Sequence, residues 1–239
     1  MINFKKKKFA IIIPAFNEEK NIFKLTNKLL ALFNNAIIFI IDDSPKSLKK
    51  FFKNKKIIYI NRKNKRGRGS AVIYGLRQAL KLKNIKLFVE MDADFSHRPN
   101  ELNKNLNYFL ANNLDLLVSS RYLKASKIVN WPISRRFFSF LANLLAEFFL
   151  RLNISDYTNG FRIYSKRSSK IVVQKCGKIG DGFIVLSEIL LILKFYNMKI
   201  NEVSSIFINR VRGESSLNFK LIYNSFIGLL KLYIKKNLL

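Results

Sequence analysis

The segment IKLFVEMDADFSHRP, residues 85–99, places a short apolar run directly before a pair of acidic residues. The run over 85–91 has the length and the branched apolar composition of a β-strand, without the alternation of a strand that faces water on one side. Strands of this kind are buried on both faces, as in a parallel sheet. The segment therefore predicts a buried strand that brings Asp92 and Asp94 to one edge of a sheet.

Strands and helices alternate through the first half of the chain. Similar apolar runs occur at 9–13, 36–41, 56–60 and 115–119. Helical patterns occur at 18–33, 70–82 and 99–110. This order predicts an α/β fold with a mostly parallel central sheet flanked by helices. Ligands of such sheets bind beyond the carboxyl ends of the strands.

The second half of the chain is richer in long helices. Helices are predicted over 135–150, 183–196 and 218–239, with a strand over 200–208. The wide apolar face of the 135–150 helix suits either a protein core or a membrane interface. The last helix mixes large apolar residues with lysines, which predicts an amphipathic helix in the headgroup layer of a membrane; a packed terminal helix is the alternative.

The composition limits the class of protein. Of 239 residues, 49% are hydrophobic and 13% are aromatic, enough to bury the core of one domain or at most two. The net charge of +29 suits an anionic partner, either nucleic acid or an acidic lipid surface; a drift in codon usage, with lysines scattered along the chain, is an equal alternative. Cys176 is the only cysteine, which excludes an internal disulfide framework and a thiolate metal cluster. The sequence contains neither a convincing secretory signal nor an apolar run of about 18 to 20 residues, so we expect a cytoplasmic protein that attaches to membranes only peripherally.

Acidic residues are scarce, and six of the 15 cluster at the predicted strand ends. They are Glu18, Asp42, Asp43, Glu90, Asp92 and Asp94. The carboxylates of Asp92 and Asp94, two residues apart on an extended segment, face the same way and can share one Mg²⁺ or Mn²⁺ ion. Two acids in a surface turn are the plainer interpretation. Asp42 and Asp43 suit a contact to a base or ribose or, equally, a capped turn.

Two further segments open predicted helices. Asn17, in the motif PAFNE, is either a helix N-cap or a nucleotide contact. The glycines and cations of KRGRGS at 65–70, Lys65 and Gly69 among them, suit a diphosphate at a helix N-terminus. A basic loop that contacts nucleic-acid phosphates fits the same pattern. His97, the only histidine, is interpreted as a helix-start residue near the site rather than as a base.

Nine motifs follow one another along the chain. They are IPAFNEEKNI (13–22), IIDDSP (40–45), RGRGSA (66–71), MDADFSHRP (91–99), SSRY (119–122), WPISRRFFSFLAN (131–143), SDYTNGFR (155–162), GFIVLSE (182–188) and NEVSSIFINRVRGESS (201–216). In this order and spacing they resemble the dolichol-phosphate mannose synthases, family-two glycosyltransferases of GT-A fold, along nearly the whole chain. DAD and PAFNE are shared by many sugar transferases, whereas HRP after DAD, the 131–143 stretch and SDYTNGFR resemble the polyprenyl-phosphate branch.

The resemblance implies roles for the matching residues. Those expected to hold the nucleotide are Pro14, Ala15, Glu18 and one or both of Asp42 and Asp43. Those expected to bind the metal that bridges the diphosphate are Asp92 and Asp94. Those expected to hold the lipid phosphate are Arg121, Arg135 and Ser139, and Arg210 would face the diphosphate. The expected catalytic residues are therefore Asp94, Arg121, Arg135 and Arg210.

The resemblance also implies a reaction. It is the metal-dependent, inverting transfer of a hexose, first of all mannose from GDP-mannose, to dolichyl or undecaprenyl phosphate at the cytoplasmic face of a membrane. A related enzyme that uses UDP-glucose or another donor, with a different lipid or a polysaccharide as acceptor, is the alternative. A small membrane-anchoring partner is left open. A basic nucleic-acid-binding protein is the remote alternative, since only the charge favours it, and no nucleic-acid partner is predicted.

The expected domain organisation follows from the same match. A catalytic domain spans 1–217, with a nucleotide-sugar half of about 1–120 and an acceptor half of about 121–217, and the amphipathic helix spans 218–239. Two positions depart from the family pattern. The motif DDSP is one residue shorter than usual, and Ser216 stands where the family usually has lysine.

Overall fold

The computed structural model describes residues 8–63, 67–180, 182–209 and 219–238, apart from the side chains of 219–223. The strands are β1 (Phe9–Ala15), β2 (Ala36–Asp42), β3 (Ile57–Asn61), β4 (Leu87–Glu90), β5 (Leu116–Ser120), β6 (Lys127–Val129), β7 (Arg162–Ser165), β8 (Ile200–Ser204) and β9 (Ile206–Ile208). The helices are α1 (Glu19–Leu32), α2 (Arg68–Leu80), α3 (Glu101–Ala111), α4 (Ile133–Leu150), α5 (Lys166–Lys175), α6 (Ile184–Phe195) and α7 (Phe219–Leu238), with a short 3-10 helix at Lys49–Phe51.

Seven strands form the central sheet, in the order β3-β2-β1-β4-β7-β5-β8. Neighbouring strands are parallel except at β7, which runs antiparallel to both β4 and β5. A second, small sheet pairs β6 with β9 in parallel. The predicted α/β fold with a mostly parallel sheet is confirmed.

Helices cover both faces of the central sheet. Successive residues of β1 face opposite sides, so Ile12 packs into the apolar layer with α2, α5 and α6, whereas Ile11 and Ile13 pack into the layer with α1 and α3. All three isoleucines are fully buried, which contributes on the order of 1.5–3 kcal/mol each. Burial on both faces is the physical reason that these strands lack an alternating pattern.

Three segments of the second half differ from the sequence prediction. The 200–208 run is wrong as a single strand, because Ser205 interrupts it and the chain passes from β8 in the central sheet to β9 in the small sheet. The sequence prediction also omits β6 and the pair formed by β7 and α5. Arg162 in β7 is fully buried, and its guanidinium donates to three backbone carbonyls. A charged residue interrupts the apolar run that would otherwise have indicated a buried strand.

The last helix packs against the domain on one side. Helix α7 contacts α4 and α6, and its residues Leu229 and Leu232 are buried in the same apolar layer as α6. The Lys235 ammonium lies 3.0 Å from the carboxylate of Glu188, whose side chain is fully buried. Within the described residues, no helix is both long enough and apolar enough to cross a membrane.

Candidate active site

The sheet brings three predicted motifs to one edge. Parallel pairing aligns Ala15 at the end of β1 with Asp42 at the end of β2. The neighbouring strand β4 ends beside them, since the amide of Met91 donates to the carbonyl of Ile12. The predicted nucleotide residues Pro14 and Ala15 are buried there. The carboxyl ends of β1, β2 and β4 therefore form one edge, as the sequence predicts.

The turn after β1 is held by the turn after β2. Asn17 adopts a left-handed conformation with φ of 56°, and its amide donates to the Ser44 hydroxyl at 2.7 Å. The helix N-cap is Glu18, with no side-chain capping bond, so the interpretation of Asn17 as the N-cap is wrong. The Glu18 carboxylate instead accepts a hydrogen bond from the side-chain amide of Asn21 at 2.8 Å.

Both acids of the DDSP motif are engaged by neighbouring side chains. The Asp42 carboxylate accepts hydrogen bonds from Ser44 and from the Tyr59 hydroxyl. Burial and the bond to Asp42 raise the pKa of Tyr59 to about 12. Asp43 forms a two-point ion pair with the Arg62 guanidinium, at 2.5 and 2.6 Å. Their contact to a nucleotide stays a prediction.

The glycine-rich motif leads into α2. Gly67 takes a φ of 86°, and Gly69 is packed so closely that a Cβ atom there would lie 2.5 Å from a methyl of Val185. Packing against the start of α6 therefore requires glycine at 69, whether or not it also contacts phosphate. Lys65 lies outside the described residues.

Between these two glycines, Arg68 reaches across to the end of β4. Its Nε and Nη2 atoms donate to Asp92 Oδ1 at 2.9 and 2.7 Å, and Nη1 donates to Glu90 Oε1 at 2.6 Å. The other Glu90 oxygen accepts the Tyr164 hydroxyl at 2.6 Å. Burial opposes the charge of Arg68, but the negative charges of Asp92 and Glu90 outweigh it and raise its pKa. Sequence reasoning gave this arginine no role of its own.

Asp92 and Asp94 lie directly after β4, as predicted. The Asp92 side chain is 27% exposed, and Asp94 Oδ1 accepts the Ser96 amide at 3.0 Å. The described residues contain no group of three or more His, Cys, Asp or Glu side chains that could hold a metal ion. Mg²⁺ in nucleotide sites is commonly held by only one or two carboxylates plus phosphate oxygens and water. The all-oxygen donor pair fits an ion of that kind.

His97 positions the loop that carries the two aspartates. Its ring is buried and stacks on Phe161 at 5.2 Å. The Asp92 backbone amide can only donate, so Nδ1 accepts at 3.1 Å and Nε2–H donates to Asn159 Oδ1 at 2.8 Å. The interpretation as a helix-start residue is wrong, because α3 begins at Glu101 with Asn100 as its N-cap.

Arg121, a predicted acceptor residue, is held by a partner that sequence reasoning missed. Its Nε and Nη2 atoms donate to the two oxygens of Asp156 at 2.8 and 2.7 Å, and Nη2 also donates to Thr158. Asp156 is fully buried. Burial alone would raise the pKa of Asp156, but the Arg121 charge outweighs burial and lowers it. Asp156 lies in the motif SDYTNGFR, but its contact with Arg121, 35 residues earlier, leaves no local pattern in the sequence.

Trp131 joins the two predicted phosphate-binding arginines. The guanidinium carbon of Arg121 lies 5.4 Å from the centroid of the Trp131 ring, and that of Arg135 lies 4.6 Å from it. Arg135 Nη1 donates to Asn209 at 3.1 Å. The indole Nε1 is buried and has no hydrogen-bond acceptor among the described residues. This buried N–H is therefore a candidate hydrogen-bond donor to a bound ligand.

Ser139 lies one turn after Arg135 on α4 and reaches the same cluster. A hydrogen bond of 2.7 Å joins its hydroxyl to that of Tyr122, the neighbour of Arg121 in the chain. Burial raises the pKa of Tyr122 despite the nearby Arg121 charge, which keeps the phenol neutral. The three predicted acceptor residues are therefore brought together. Arg210 and Ser216 lie outside the described residues.

One hydrogen-bonded chain links Asp92, after β4, to Arg121 in the arginine cluster. His97 bonds to Asn159, whose backbone amide donates to Asp156 Oδ1 at 3.0 Å. Asn159 also donates through its side chain to the carbonyl of Ser119, two residues before Arg121. Burial opposes the charge of Arg121, but the Asp156 charge above all, and the Asp92 charge to a smaller extent, raise its pKa. One residue of each predicted cluster, Asp92 and Arg121, is therefore tied to the other through the protein.

Known proteins share both the sequence pattern and the fold. The model of glycosyl transferase family 2 matches residues 10–172. A dolichol-phosphate mannosyltransferase of Pyrococcus furiosus is 32% identical over 225 residues, which cover 90% of this chain and 61% of that protein. An undecaprenyl-phosphate mannosyltransferase of Micrococcus luteus is 29% identical over 214 residues, which cover 87% of this chain and 86% of that protein. The chain thus spans less than two thirds of the Pyrococcus protein.

Solved structures resemble the fold over nearly all of the chain. Glucosyl-3-phosphoglycerate synthase from Mycobacterium tuberculosis, in complex with phosphoglyceric acid, superposes with a TM-score of 0.70 at 14% identity, covering 98% of this chain and 81% of that one. The same enzyme with Mn²⁺, UDP and glucosyl-3-phosphoglycerate gives a TM-score of 0.68 at 16% identity, covering 96% and 81%. This likeness shows the GT-A type fold.

Proposed function

Since the chain belongs to glycosyl transferase family 2, we propose that it transfers a hexose from a nucleotide sugar to a polyprenyl phosphate. The observation that carries the proposal is the hydrogen-bonded chain that joins Asp92, after β4, to Arg121, beside Trp131, through His97, Asn159 and Asp156. A sugar transferase needs its donor diphosphate and its acceptor within reach of each other. The names of the two mannosyltransferase relatives support this acceptor.

The acceptor phosphate is assigned to Arg121, Arg135 and Ser139. Two guanidinium groups flank one indole ring, and planar guanidinium forks match phosphate oxygens better than ammonium groups do. The Asp156 carboxylate already holds the Nε and Nη2 atoms of Arg121, so that guanidinium is oriented before any acceptor arrives. Preorganisation of this kind lowers the cost of binding an anion.

The donor diphosphate is assigned to the edge formed by β1, β2 and β4. The proposed nucleotide residues are Pro14, Ala15, Asn17, Glu18, Asp42, Asp43, Lys65, Gly69, Asp92 and Arg210. Asp92 and Asp94 would hold Mg²⁺ or Mn²⁺, and a bound divalent ion supplies charge neutralisation to the leaving diphosphate. We propose mannose from GDP-mannose as the first donor. UDP-glucose is the second candidate.

The proposed transfer needs little help from a general base of the protein. An oxygen of the acceptor phosphate attacks the anomeric carbon, the bond from that carbon to the donor diphosphate breaks, and the configuration inverts. A phosphate monoester is already anionic near pH 7, so no proton has to be removed. His97 would be a poor base, because both of its ring nitrogens are engaged in hydrogen bonds. Orientation by Arg121 and Arg135 and charge stabilisation are therefore proposed to carry most of the rate.

We propose that the sugar transfer takes place at a membrane surface. Helix α4, which carries Arg135 and Ser139, also has a row of exposed apolar side chains. They are Ile133, Phe137, Phe140, Leu144 and Phe148, between 53% and 86% exposed. Such a row beside a phosphate site suits a helix in the headgroup layer, where the prenyl chain of the acceptor lies. The exposed side of α7 with its lysines would add to this surface at the cytoplasmic face.

The test is a sugar-transfer assay on the full chain. Membranes or short, water-soluble prenyl phosphates are incubated with labelled GDP-mannose, UDP-glucose and UDP-N-acetylglucosamine, and the labelled lipid is extracted. We expect one donor to label the lipid phosphate. Arg135→Ala should raise the KM for the acceptor about tenfold or more. The matched control is Arg136→Ala, which removes the exposed neighbouring guanidinium. Transfer to polysaccharide alone, or full acceptor use by Arg135→Ala, contradicts the proposal.

A further inference from the structure

Arg68 is bound to Asp92, one of the two aspartates assigned to the metal ion. Its Nε and Nη2 atoms both donate to Asp92 Oδ1, an oxygen of one of the two carboxylates assigned to the metal. Its side chain is only 14% exposed. A guanidinium at 2.7 Å neutralises that carboxylate and repels a second cation. Metal binding at Asp92 therefore competes with an ion pair that the protein already contains.

The position of the Arg68 guanidinium is built into the fold. Gly160 lies so close that any Cβ atom at that position would collide with the guanidinium. Nη1 is held separately by Glu90, which is fully buried and is fixed in turn by the Tyr164 hydroxyl. The guanidinium thus has one edge anchored on Glu90 and the other edge on Asp92.

We propose that Arg68 acts as an internal cation that occupies Asp92 in the nucleotide-free protein and lowers its affinity for a divalent metal. This proposal rests on the assignment of the metal to Asp92 and Asp94. Only the Nε and Nη2 edge has to change partner, because Nη1 stays on Glu90. A donor diphosphate would offer that edge an alternative anion of matching geometry. Arg68 would therefore couple tight metal binding to the arrival of the nucleotide.

The choice of variants follows from the burial of Glu90. Arg68→Met alone would leave a buried carboxylate without its cation, which is strongly destabilising. The informative comparison is therefore Arg68→Met/Glu90→Gln against Glu90→Gln alone. Both lack the Glu90 charge, and they differ only in Arg68. Gly160→Ala is an independent variant that keeps Arg68 and Glu90 but pushes the guanidinium out of its place.

The measurement is Mn²⁺ binding to the nucleotide-free full chain, from the electron paramagnetic resonance signal of unbound Mn²⁺. We expect the Arg68→Met/Glu90→Gln protein to bind Mn²⁺ roughly tenfold or more tightly than Glu90→Gln. Gly160→Ala should also bind more tightly than the unaltered chain. Adding Asp92→Asn to either protein should abolish the gain. Circular dichroism and thermal unfolding check that each protein is folded.

Several results would overturn the role of Arg68. These are an equal or weaker Mn²⁺ affinity without Arg68, no gain in Gly160→Ala, or a gain that persists after Asp92→Asn. If one variant fails to fold, the other still decides the outcome. The sugar-transfer assay on the unaltered chain is a separate readout. Failure of transfer would contradict the proposed function without removing a measured effect of Arg68 on Mn²⁺ binding.

Discussion

Replacing Asp156 by asparagine should destabilise the acceptor side of the site, because no orientation of an amide suits its surroundings. Oδ2 accepts both the backbone amide and Nε of Arg121, at 2.9 and 2.8 Å. Oδ1 accepts Nη2 of Arg121 and the backbone amide of Asn159, at 2.7 and 3.0 Å. An asparagine NH₂ group would therefore face hydrogen-bond donors in either orientation.

The size of the effect follows from burial. Asp156 is fully buried and Arg121 is 8% exposed, so the change leaves a buried guanidinium without its counter-charge. Removing one member of such a pair costs about 3–5 kcal/mol of unfolding free energy. The double variant Arg121→Met/Asp156→Asn removes both charges and should be more stable than Asp156→Asn alone. The difference measures the coupling of the pair.

The assay uses a reporter already in the site. Trp131 is the only tryptophan, it is 7% exposed, and it lies 5.4 Å from the Arg121 guanidinium. Its fluorescence in urea gives the free energy of unfolding of each variant. If the free energy of unfolding of Asp156→Asn lies within about 1 kcal/mol of that of the unaltered chain, the pair does not stabilise the fold as its burial requires.

The same pair sets a pH dependence whose sign can be worked out. The pKa of Asp156 is lowered in the folded state from its ordinary value of 3.8. The unfolded chain therefore binds more protons than the folded chain below that value, and acid favours unfolding. The stabilisation is fully present above the unfolded pKa and is lost as the pH falls from about 4 through the lower folded pKa. In Asp156→Asn this part of the acid dependence should disappear.

Three further predictions concern the acceptor site, the last helix and the membrane surface. Trp131→Phe keeps an aromatic ring, and the buried indole N–H is the one hydrogen-bonding group that it removes. The KM for polyprenyl phosphate should therefore rise about fivefold to tenfold, with an unchanged KM for the nucleotide sugar. An equal rise in both constants would assign Trp131 to packing alone. Lys235→Met should lower the unfolding free energy by about 1–3 kcal/mol, because the buried Glu188 carboxylate loses its cation. The loss is smaller than for Asp156 because Lys235 is itself 27% exposed, and no loss in urea unfolding would contradict this. The double variant Phe137→Glu/Phe148→Glu should bind anionic vesicles at least tenfold more weakly in a sedimentation assay, while transfer to a short prenyl phosphate continues. Unchanged sedimentation would contradict the assignment of α4 to the membrane surface.

The sequence located the strands β1 to β5 and the acids at the ends of β1, β2 and β4. Strands buried on both faces, such as β1, require runs of apolar residues, and these are visible without any knowledge of the partners. Parallel pairing then puts the carboxyl ends at one edge, so the neighbourhood of Asp42 and Asp92 could be predicted. The strand β7 escaped prediction, because the buried charge of Arg162 is satisfied by carbonyls that no local pattern contains.

The motifs likewise located Arg121, Arg135 and Ser139 but not what holds them. The partner of Arg121 is 35 residues away in the chain, and the residue that His97 contacts is 62 residues away. Periodicity reports only which residues share a face of one helix or strand. Contacts across such distances depend on the packing of separate elements, which the sequence pattern does not encode directly.

What the sequence by itself determined is the α/β class, the edge at which the acids collect and the residue types suited to phosphates and a metal, because these follow from local burial and side-chain chemistry. What only the tertiary structure decided is which charge meets which. Arg68 belongs to a glycine-rich segment that the sequence assigned as a whole to a diphosphate, but its ion pair with Asp92, 24 residues later in the chain, could not be read from that segment. A buried ion needs a counter-charge or hydrogen-bond partners that packing brings to it, so the fold, rather than the local sequence, selects the pairs.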